Sequence, residues 1–268
     1  MVRRSIPQVG TKSIGPWVFF DHFGPAEFEP GGGINVRPHP HINLATVSYL
    51  FEGEIFHRDS LGNAMSIHPG AINLMVAGKG ITHSERTRDE LKETGYKLHG
   101  LQLWHALPEE YEEIEPAFYH TPSEDIPQGE ERGAVYRVMM GEAYGLRSPV
   151  KTYSPILYVE ADMSAGTTLE LPHAQERGIY VVKGEAMIDN NDSPIFTMSV
   201  LSPEAKTIKA VTDTRLAIIG GTPLGKRYME WNFVSSRPKR IAQAKEDWRE
   251  GRFDTVSGDE DEFIPLPK

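Results

Sequence analysis

Two short patterns in the first third of the chain combine residue types that bind metal ions. The first is His39-Pro40-His41 and the second is His83-Ser84-Glu85. In each, two ligand-type side chains stand two positions apart, and in extended backbone such side chains project from the same face of a strand. Two adjacent strands of a small barrel carrying these pairs would bring three imidazole nitrogens and one carboxylate oxygen to one point.

That donor set suits one divalent ion, and Fe, Mn, Co, Ni, Cu and Zn all fit it. Such a site would keep positions open for water, substrate or dioxygen, unlike a closed structural site. Either pattern alone is a weak signal, because histidines at this spacing are common by chance and Pro40 could mark a turn. Together they predict a metal site built from His39, His41, His83 and Glu85.

The elements that would position these residues are predicted to be short strands. The chain has 25 glycines and 20 prolines, and between them lie short stretches rich in β-branched and aromatic residues. This pattern is typical of a sandwich or barrel, so the predicted fold class is all-β. One convincing helix is predicted near the C-terminus, over residues 239–250, and Gly251 is well placed to end it.

An internal similarity indicates two related β-domains. Residues 47–54 resemble residues 179–185, and each segment has a strand, a glycine turn (Gly53 or Gly184) and a returning strand. All of the ten histidines except His173 lie at or before His120, so the imidazole chemistry belongs to the first copy. At the same offset, the counterpart of the second motif would fall around residues 212–215, which contain no histidine.

We therefore predict a metal-binding barrel over residues 1–130 and a second barrel without metal over residues 131–235. Residues 236–268 are predicted to form a helix and a tail that pack back on the barrels, because the tail is too apolar to be free. Trp248, Phe253 and Phe263 are its largest apolar side chains.

Composition excludes several classes of function. The 28 basic and 38 acidic residues give a net charge of −10, which argues against direct contact with nucleic acid. The absence of cysteine excludes disulfides, thiolate nucleophiles and thiolate metal sites. No apolar run is long enough for a membrane span or a signal peptide. We expect a cytoplasmic protein that is a monomer.

The segments around the two motifs resemble the pirin family of the cupin superfamily, and the resemblance covers nearly the whole chain. It is carried by residues 15–25, 37–41, 46–53, 57–63, 77–85, 98–104 and 243–267. It implies a bicupin, which is two antiparallel cupin-type β-barrels with a few short helices. It also implies one divalent metal ion, usually Fe(II), in the N-terminal barrel, with His39, His41, His83 and Glu85 as ligands.

The resemblance further implies an activity like that of quercetin 2,3-dioxygenase, which opens a flavonol ring with O2 and releases carbon monoxide. Glu85 is the candidate base for the substrate hydroxyl. The small aromatic substrate would lie against apolar residues, for which the candidates are Val47, Tyr49, Phe51, Met75 and Leu103. His57 is a further candidate to approach this pocket.

Two alternatives remain open. Some pirins act as regulators, so the chain could be a non-catalytic iron-binding protein that acts through a protein partner, such as a transcription factor or a metabolic enzyme. A metal-dependent isomerase shares the same ligand set.

Three departures from family patterns are visible. Asn43 stands where a glycine is expected, which puts the shape of the local loop in question. Ala45 stands where many cupins have a glutamate ligand, so the carboxylate would have to come from Glu85. An N-terminal strand is expected to be short or missing.

Overall fold

The computed structural model describes residues 2–267. Strands dominate it. In the first half they are β1 Val2–Ile6, β2 Trp17–Phe28, β3 Asn35–His41, β4 Leu44–Glu52, β5 Ile55–Asp59, β6 Ala64–Ile67, β7 Ile72–Val76, β8 Ile81–Arg86, β9 Tyr96–Ala106, β10 Ala117–Thr121 and β11 Gln128–Glu131. In the second half they are β12 Ala134–Met140, β13 Glu142–Ala143, β14 Leu146–Arg147, β15 Ile156–Met163, β16 Thr168–Glu170, β17 Glu176–Lys183, β18 Ala186–Ile188, β19 Asn191–Ser193, β20 Met198–Val200, β21 Thr207–Ala210, β22 Thr214–Gly221, β23 Tyr228–Glu230 and β24 Phe233–Ser235.

The helices are α1 Asp89–Thr94 and α2 Pro238–Arg249. The predicted all-β class and the C-terminal helix are therefore confirmed, and the helix limits agree to within one residue. Helix α1 was not predicted. The N-terminal strand β1, which was expected to be short or missing, is formed. Within residues 2–267 no helix has the length and apolar composition needed to span a bilayer.

The described chain divides into two compact units. The first comprises residues 21–120 and 224–267 together with Val2, and the second comprises residues 3–20 and 121–223. These limits differ from the predicted domains at both ends. Residues 3–20 join the second unit, where the Trp17 indole donates to the carbonyls of Leu157 and Gly220. Residues 224–235 join the first unit, where Phe233 forms a parallel bridge with Ile42.

Two sheets build the first unit. One has the order β2-β9-β4-β7-β10, in which β2 contributes its residues from Asp21 onward. The other has the order β3-β8-β5-β6. The pairs β3–β8, β5–β8, β4–β7 and β4–β9 are all antiparallel.

The second unit repeats this arrangement. Its sheets have the orders β11-β12-β15-β22-β17-β20 and β16-β21-β18-β19, with a small hairpin β13-β14. In chain order, β3 to β9 of the first unit correspond one for one to β16 to β22 of the second. Gly53 and Gly184 occupy the matching turns, with φ of 92° and 83°. A Cβ atom at either position would lie within 2.1–2.4 Å of a backbone oxygen, so both turns require glycine.

The C-terminal tail lies against the two strands that carry the histidine motifs. The Ile264 amide donates to the carbonyl of Pro38 on β3, and the Trp248 indole donates to the carbonyl of Ile264. Arg86 on β8 forms a bidentate ion pair with Asp259 of the tail. Residues after β24 therefore help to hold β3 and β8 in place.

Candidate metal centre

The antiparallel pairing of β3 with β8 brings the two histidine motifs together. His39 lies directly opposite His83, and the rings of these two residues are 4.3 Å apart between centroids. The His41 ring lies 5.0 Å from that of His83 and 5.1 Å from that of His39. All three are buried, and one nitrogen from each lies within 4.8 Å of the other two. Three predicted ligands thus converge on one point.

Backbone carbonyls orient two of these imidazoles. The Nδ1 atom of His39 lies 2.9 Å from the carbonyl oxygen of Arg37, and that of His41 lies 3.1 Å from the carbonyl oxygen of Asn232. A carbonyl oxygen can only accept, so Nδ1 carries the hydrogen and Nε2 keeps its lone pair. Outer hydrogen bonds of this kind are the usual partners of metal-binding histidines. Both rings are therefore prepared to bind through Nε2.

The third imidazole has no such partner. Both ring nitrogens of His83 are buried and form no hydrogen bond within the described chain. Leaving a buried polar atom unpaired costs about 1–3 kcal/mol. A metal ion would satisfy one of these nitrogens, so the residues present fit the implied ion.

Burial keeps the three imidazoles uncharged. It lowers the pKa of His39 to about 4, although the hydrogen bond that the ring donates to the Arg37 carbonyl opposes this shift. It also lowers the pKa values of His41 and His83 well below the ordinary value of 6.5, and the neighbouring imidazoles add to the effect. Neutral imidazole is the form that binds metal, so no proton must be removed from the ligands at neutral pH.

Glu85 lies on the same face of β8 as His83, two residues further on. It is directly opposite His57 on β5 and Val36 on β3, and it is not part of the three-histidine group. Its Oε1 atom is buried and has no hydrogen-bond partner among residues 2–267. Burial raises the pKa of this carboxyl group, while His57 opposes the shift. The roles of Glu85 as ligand and as base stay predictions.

A buried His57–Asp59 pair extends the polar face of this sheet. The His57 ring lies 5.3 Å from that of His83, and its Nε2 atom is 3.1 Å from Asp59. Asp59 also accepts hydrogen bonds from Leu61 and Asn63. Burial alone would raise the pKa of Asp59, but these hydrogen bonds lower it below the ordinary value. Asp59 was not among the predicted site residues, although His57 and Asp59 repeat the two-residue spacing of the ligand motifs.

The other sheet turns one face toward the histidines. The Trp104 ring lies 4.9 Å from the ring of His41. Trp104 and Met75 are both directly opposite Thr46, and directly paired residues share a face. We call this the histidine-facing side.

Most of the predicted pocket lining lies on the other side. Val47 follows Thr46 along β4, so it points to the opposite face, and it is paired there with Leu103. Tyr49 shares that face, whereas Met75 lies on the histidine-facing side. The prediction was therefore wrong for Val47, Tyr49 and Leu103.

The conformation of the loop after β3 explains why asparagine can stand at position 43, where a glycine was expected. This residue has φ of 56°, a left-handed conformation that asparagine tolerates better than most residues. Its amide donates to the carbonyl oxygens of Gly78 and Glu112. The side chain thus adds hydrogen bonds that a glycine could not make.

Comparison with known proteins agrees with this architecture. The family models described as Pirin and as the Pirin C-terminal cupin domain match residues 1–105 and 158–254. A pirin-like protein of Caulobacter vibrioides is 45% identical over 272 residues, covering 100% of this chain and 94% of that protein. Human pirin is 31% identical over 262 residues, covering 94% of this chain and 87% of that protein.

A crystal structure of a quercetin 2,3-dioxygenase from Acinetobacter baumannii superposes with a TM-score of 0.92 at 32% identity. It covers 100% of this chain and 90% of its own. The predicted bicupin fold and the predicted family resemblance are both confirmed. The chain belongs to the pirin family.

Proposed function

We propose that this protein is a metal-dependent dioxygenase that opens the ring of a flavonol such as quercetin with O2 and releases carbon monoxide. The observation that carries the proposal is the convergence of three neutral, buried imidazoles with Glu85 on the same face. The similarity to a structure named quercetin 2,3-dioxygenase supports the substrate class.

His39, His41 and His83 would hold one divalent ion, and Glu85 is the proposed fourth ligand. Fe(II) is our first choice, while Mn, Co, Ni, Cu or Zn would also suit these donors. When bound, such an ion supplies Lewis-acid chemistry that lowers the pKa of a coordinated substrate hydroxyl.

Glu85 is the group in this chain that can receive the released proton. Its Oε1 atom has no hydrogen-bond partner in the part of the chain that the structure describes, and burial raises the pKa of the carboxyl group, which makes it a stronger base. The proton would move from the substrate hydroxyl oxygen to Oε1. Both atoms of O2 then enter the ring-opened product and one ring carbon leaves as carbon monoxide, so no external reductant is needed.

A specific observation favours the alternative of a non-catalytic, iron-binding regulator that acts through a protein partner. The three imidazoles are only 7%, 1% and 2% exposed, which leaves little open surface at the candidate metal centre. In that case the bound ion would act as a switch, and binding of a flavonol at the site would not be expected.

Anaerobic reconstitution with metal ions distinguishes the dioxygenase from the non-catalytic regulator. The full chain is loaded in turn with Fe(II), Mn(II), Co(II), Ni(II) and Cu(II), and O2 uptake and carbon monoxide release are measured with quercetin. We expect turnover with at least one metal and none with His83→Ala. Bound metal without O2 uptake for any of these ions would overturn the enzyme proposal and favour the regulator.

A further inference from the structure

A row of polar side chains crosses three strands on the histidine-facing side. Ser48 of β4 lies directly opposite both Asn73 of β7 and Gln102 of β9. Ser48 is two residues beyond Thr46, so it projects from the same face. We call Asn73, Ser48 and Gln102 the polar row.

Hydrogen bonds within the row leave two amide groups able to donate. The Ser48 hydroxyl donates to Oε1 of Gln102 at 2.9 Å, so the Nε2 hydrogens of Gln102 are left over. Nδ1 of His120 lies 2.7 Å from Oδ1 of Asn73. The Nδ2 atom of Asn73 is buried and has no partner within the described chain. Asn73 as a whole is only 2% exposed, so this donor is not satisfied by bulk water.

The second unit shows that the fold does not need an unpaired amide donor here. The strand β17 corresponds to β4, and β22 corresponds to β9. In the second unit the places of Ser48 and Gln102 hold Ile179 directly opposite Ile218, while the place of Asn73 holds Ser199, whose hydroxyl lies 3.0 Å from that of Ser193. The two isoleucines are fully buried and belong to a continuous apolar core, and the serine hydroxyl has a hydrogen-bond partner. An unpaired buried donor in the first unit therefore costs stability that the second unit avoids, and a ligand would explain why it is kept.

The spacing fits a flat, oxygen-rich molecule. Neighbouring strands lie about 4.8 Å apart, which places Asn73 and Gln102 roughly 10 Å from each other. The polar row is about 7 Å along the strands from Thr46, whose partner Trp104 contacts the His41 ring. A molecule of three aromatic rings is long enough to reach from the histidines to the row.

We propose that the polar row recognises the hydroxyl-bearing ring of the flavonol that lies away from the reacting carbon. The amides of Asn73 and Gln102 would donate to phenolic oxygens, and the Ser48 hydroxyl would accept from a phenolic hydrogen. The inference rests on the proposed function and deepens it, because it makes a polyhydroxylated flavonol the preferred substrate over a less oxygenated one.

The test compares two flavonols with different oxygen content. The full chain is loaded with Zn(II) and kept anaerobic, so that binding is measured without turnover. Dissociation constants are measured for quercetin and for 3-hydroxyflavone, which lacks the hydroxyl groups on the outer rings. We expect the wild type to prefer quercetin. Gln102→Leu and Asn73→Leu should each weaken quercetin binding about 10-fold while changing that of 3-hydroxyflavone less than about twofold.

Two controls separate recognition from structure. His120→Leu removes the partner of Asn73 Oδ1 but keeps the Nδ2 donor, so the preference for quercetin should persist. Asn73→Leu removes an unpaired buried donor, so the melting temperature without ligand should hold or rise, whereas a structural asparagine would lower it. Gln102 is partly exposed, so its variant keeps the test valid if Asn73→Leu does not fold.

If Gln102→Leu and Asn73→Leu keep the full preference for quercetin, the proposed role of the polar row in recognition is wrong, but the proposed dioxygenase function is unaffected. A metal-loaded wild type that binds neither flavonol would overturn both.

Discussion

The two units of this chain share one strand order but differ in what their matching strands bury. In the first unit the β3–β8 pair places His39 opposite His83. In the second unit the corresponding β16–β21 pair places Leu169 opposite Ile208, and both belong to the apolar core. By register from the shared glycine turn, Ile208 stands at the place of Glu85, so the architecture is stable with apolar residues on these matching strands. The imidazoles of the first unit are therefore best explained by binding.

The counterpart strand of the second unit is not where the sequence offset predicted it. That offset pointed to residues 212–215, but the strand matching β8 is β21, which ends at Ala210. The connection from β17 to β21 is shorter than that from β4 to β8, so a constant offset fails after the shared glycine turn. Neither place contains a histidine, and the absence of metal from the second unit stays a prediction.

The largest expected effect is a loss of flavonol turnover when the carboxyl group of Glu85 in the first unit is removed, but not when that of Glu160 in the second unit is removed. Glu85→Gln keeps the size of the side chain and one coordinating oxygen but removes the base, so flavonol turnover per bound metal should fall about 100-fold or more. Metal should be partly retained, because three imidazoles remain. The matched control is Glu160→Gln, a buried glutamate of the second unit. Equal turnover per metal in Glu85→Gln would leave Glu85 as a ligand only.

An apolar substitution among the histidines of the first unit and a polar substitution in the apolar core of the second unit should change the free energy of unfolding in opposite directions. His83→Leu removes two unpaired buried nitrogens, so the metal-free protein should gain about 1–3 kcal/mol. Ile208→His places a polar ring in the apolar core of the second unit and should cost at least as much. Calorimetry in the presence of a chelator checks both. A loss of stability in His83→Leu would show that the histidine cluster is structural without metal.

The second unit should carry its own pH dependence. Burial raises the pKa of Glu160 to about 8, although Tyr158 donates a hydrogen bond to it. Between pH 4.5 and 8 the folded state then holds a proton that the unfolded state releases, so stability falls as pH rises through this range. The slope reaches at most about 1.4 kcal/mol per pH unit.

Glu160→Gln should remove this slope, and melting temperatures from pH 5 to 8.5 provide the measurement. Parallel curves for the wild type and the variant would show that Glu160 ionises normally.

The smallest effect concerns two bidentate arginine–aspartate pairs. Arg86–Asp259 fastens the tail to β8, with side chains 18% and 9% exposed, whereas Arg215–Asp162 of the second unit is 37% and 59% exposed. Arg86→Met should cost about 2 kcal/mol and Arg215→Met less than about 1 kcal/mol, because solvent screens the exposed pair. Equal losses in melting temperature would mean that the tail contributes no more than a surface ion pair.

The sequence was sufficient for the three histidines because their two-residue spacing fixes their face on a strand. It could not supply the carbonyl of Asn232, which orients His41 from 191 positions along the chain. The polar row was not predicted from the sequence, and Val47 was predicted to line the pocket although it lies on the opposite face of β4. The reason lies in β4, whose residues Leu44 to Leu50 are all buried. With both faces covered, the alternation that marks an interior face is absent.

The domain limits could not be predicted from the sequence either, because segments distant in sequence complete each unit.

The central claim is that one metal ion binds to the first unit through its histidines. Metal analysis of the dialysed full chain tests it most directly. We predict one equivalent in the wild type, one in His173→Ala and almost none in His83→Ala. Two equivalents that survive dialysis, or one equivalent retained by His83→Ala, would contradict the account.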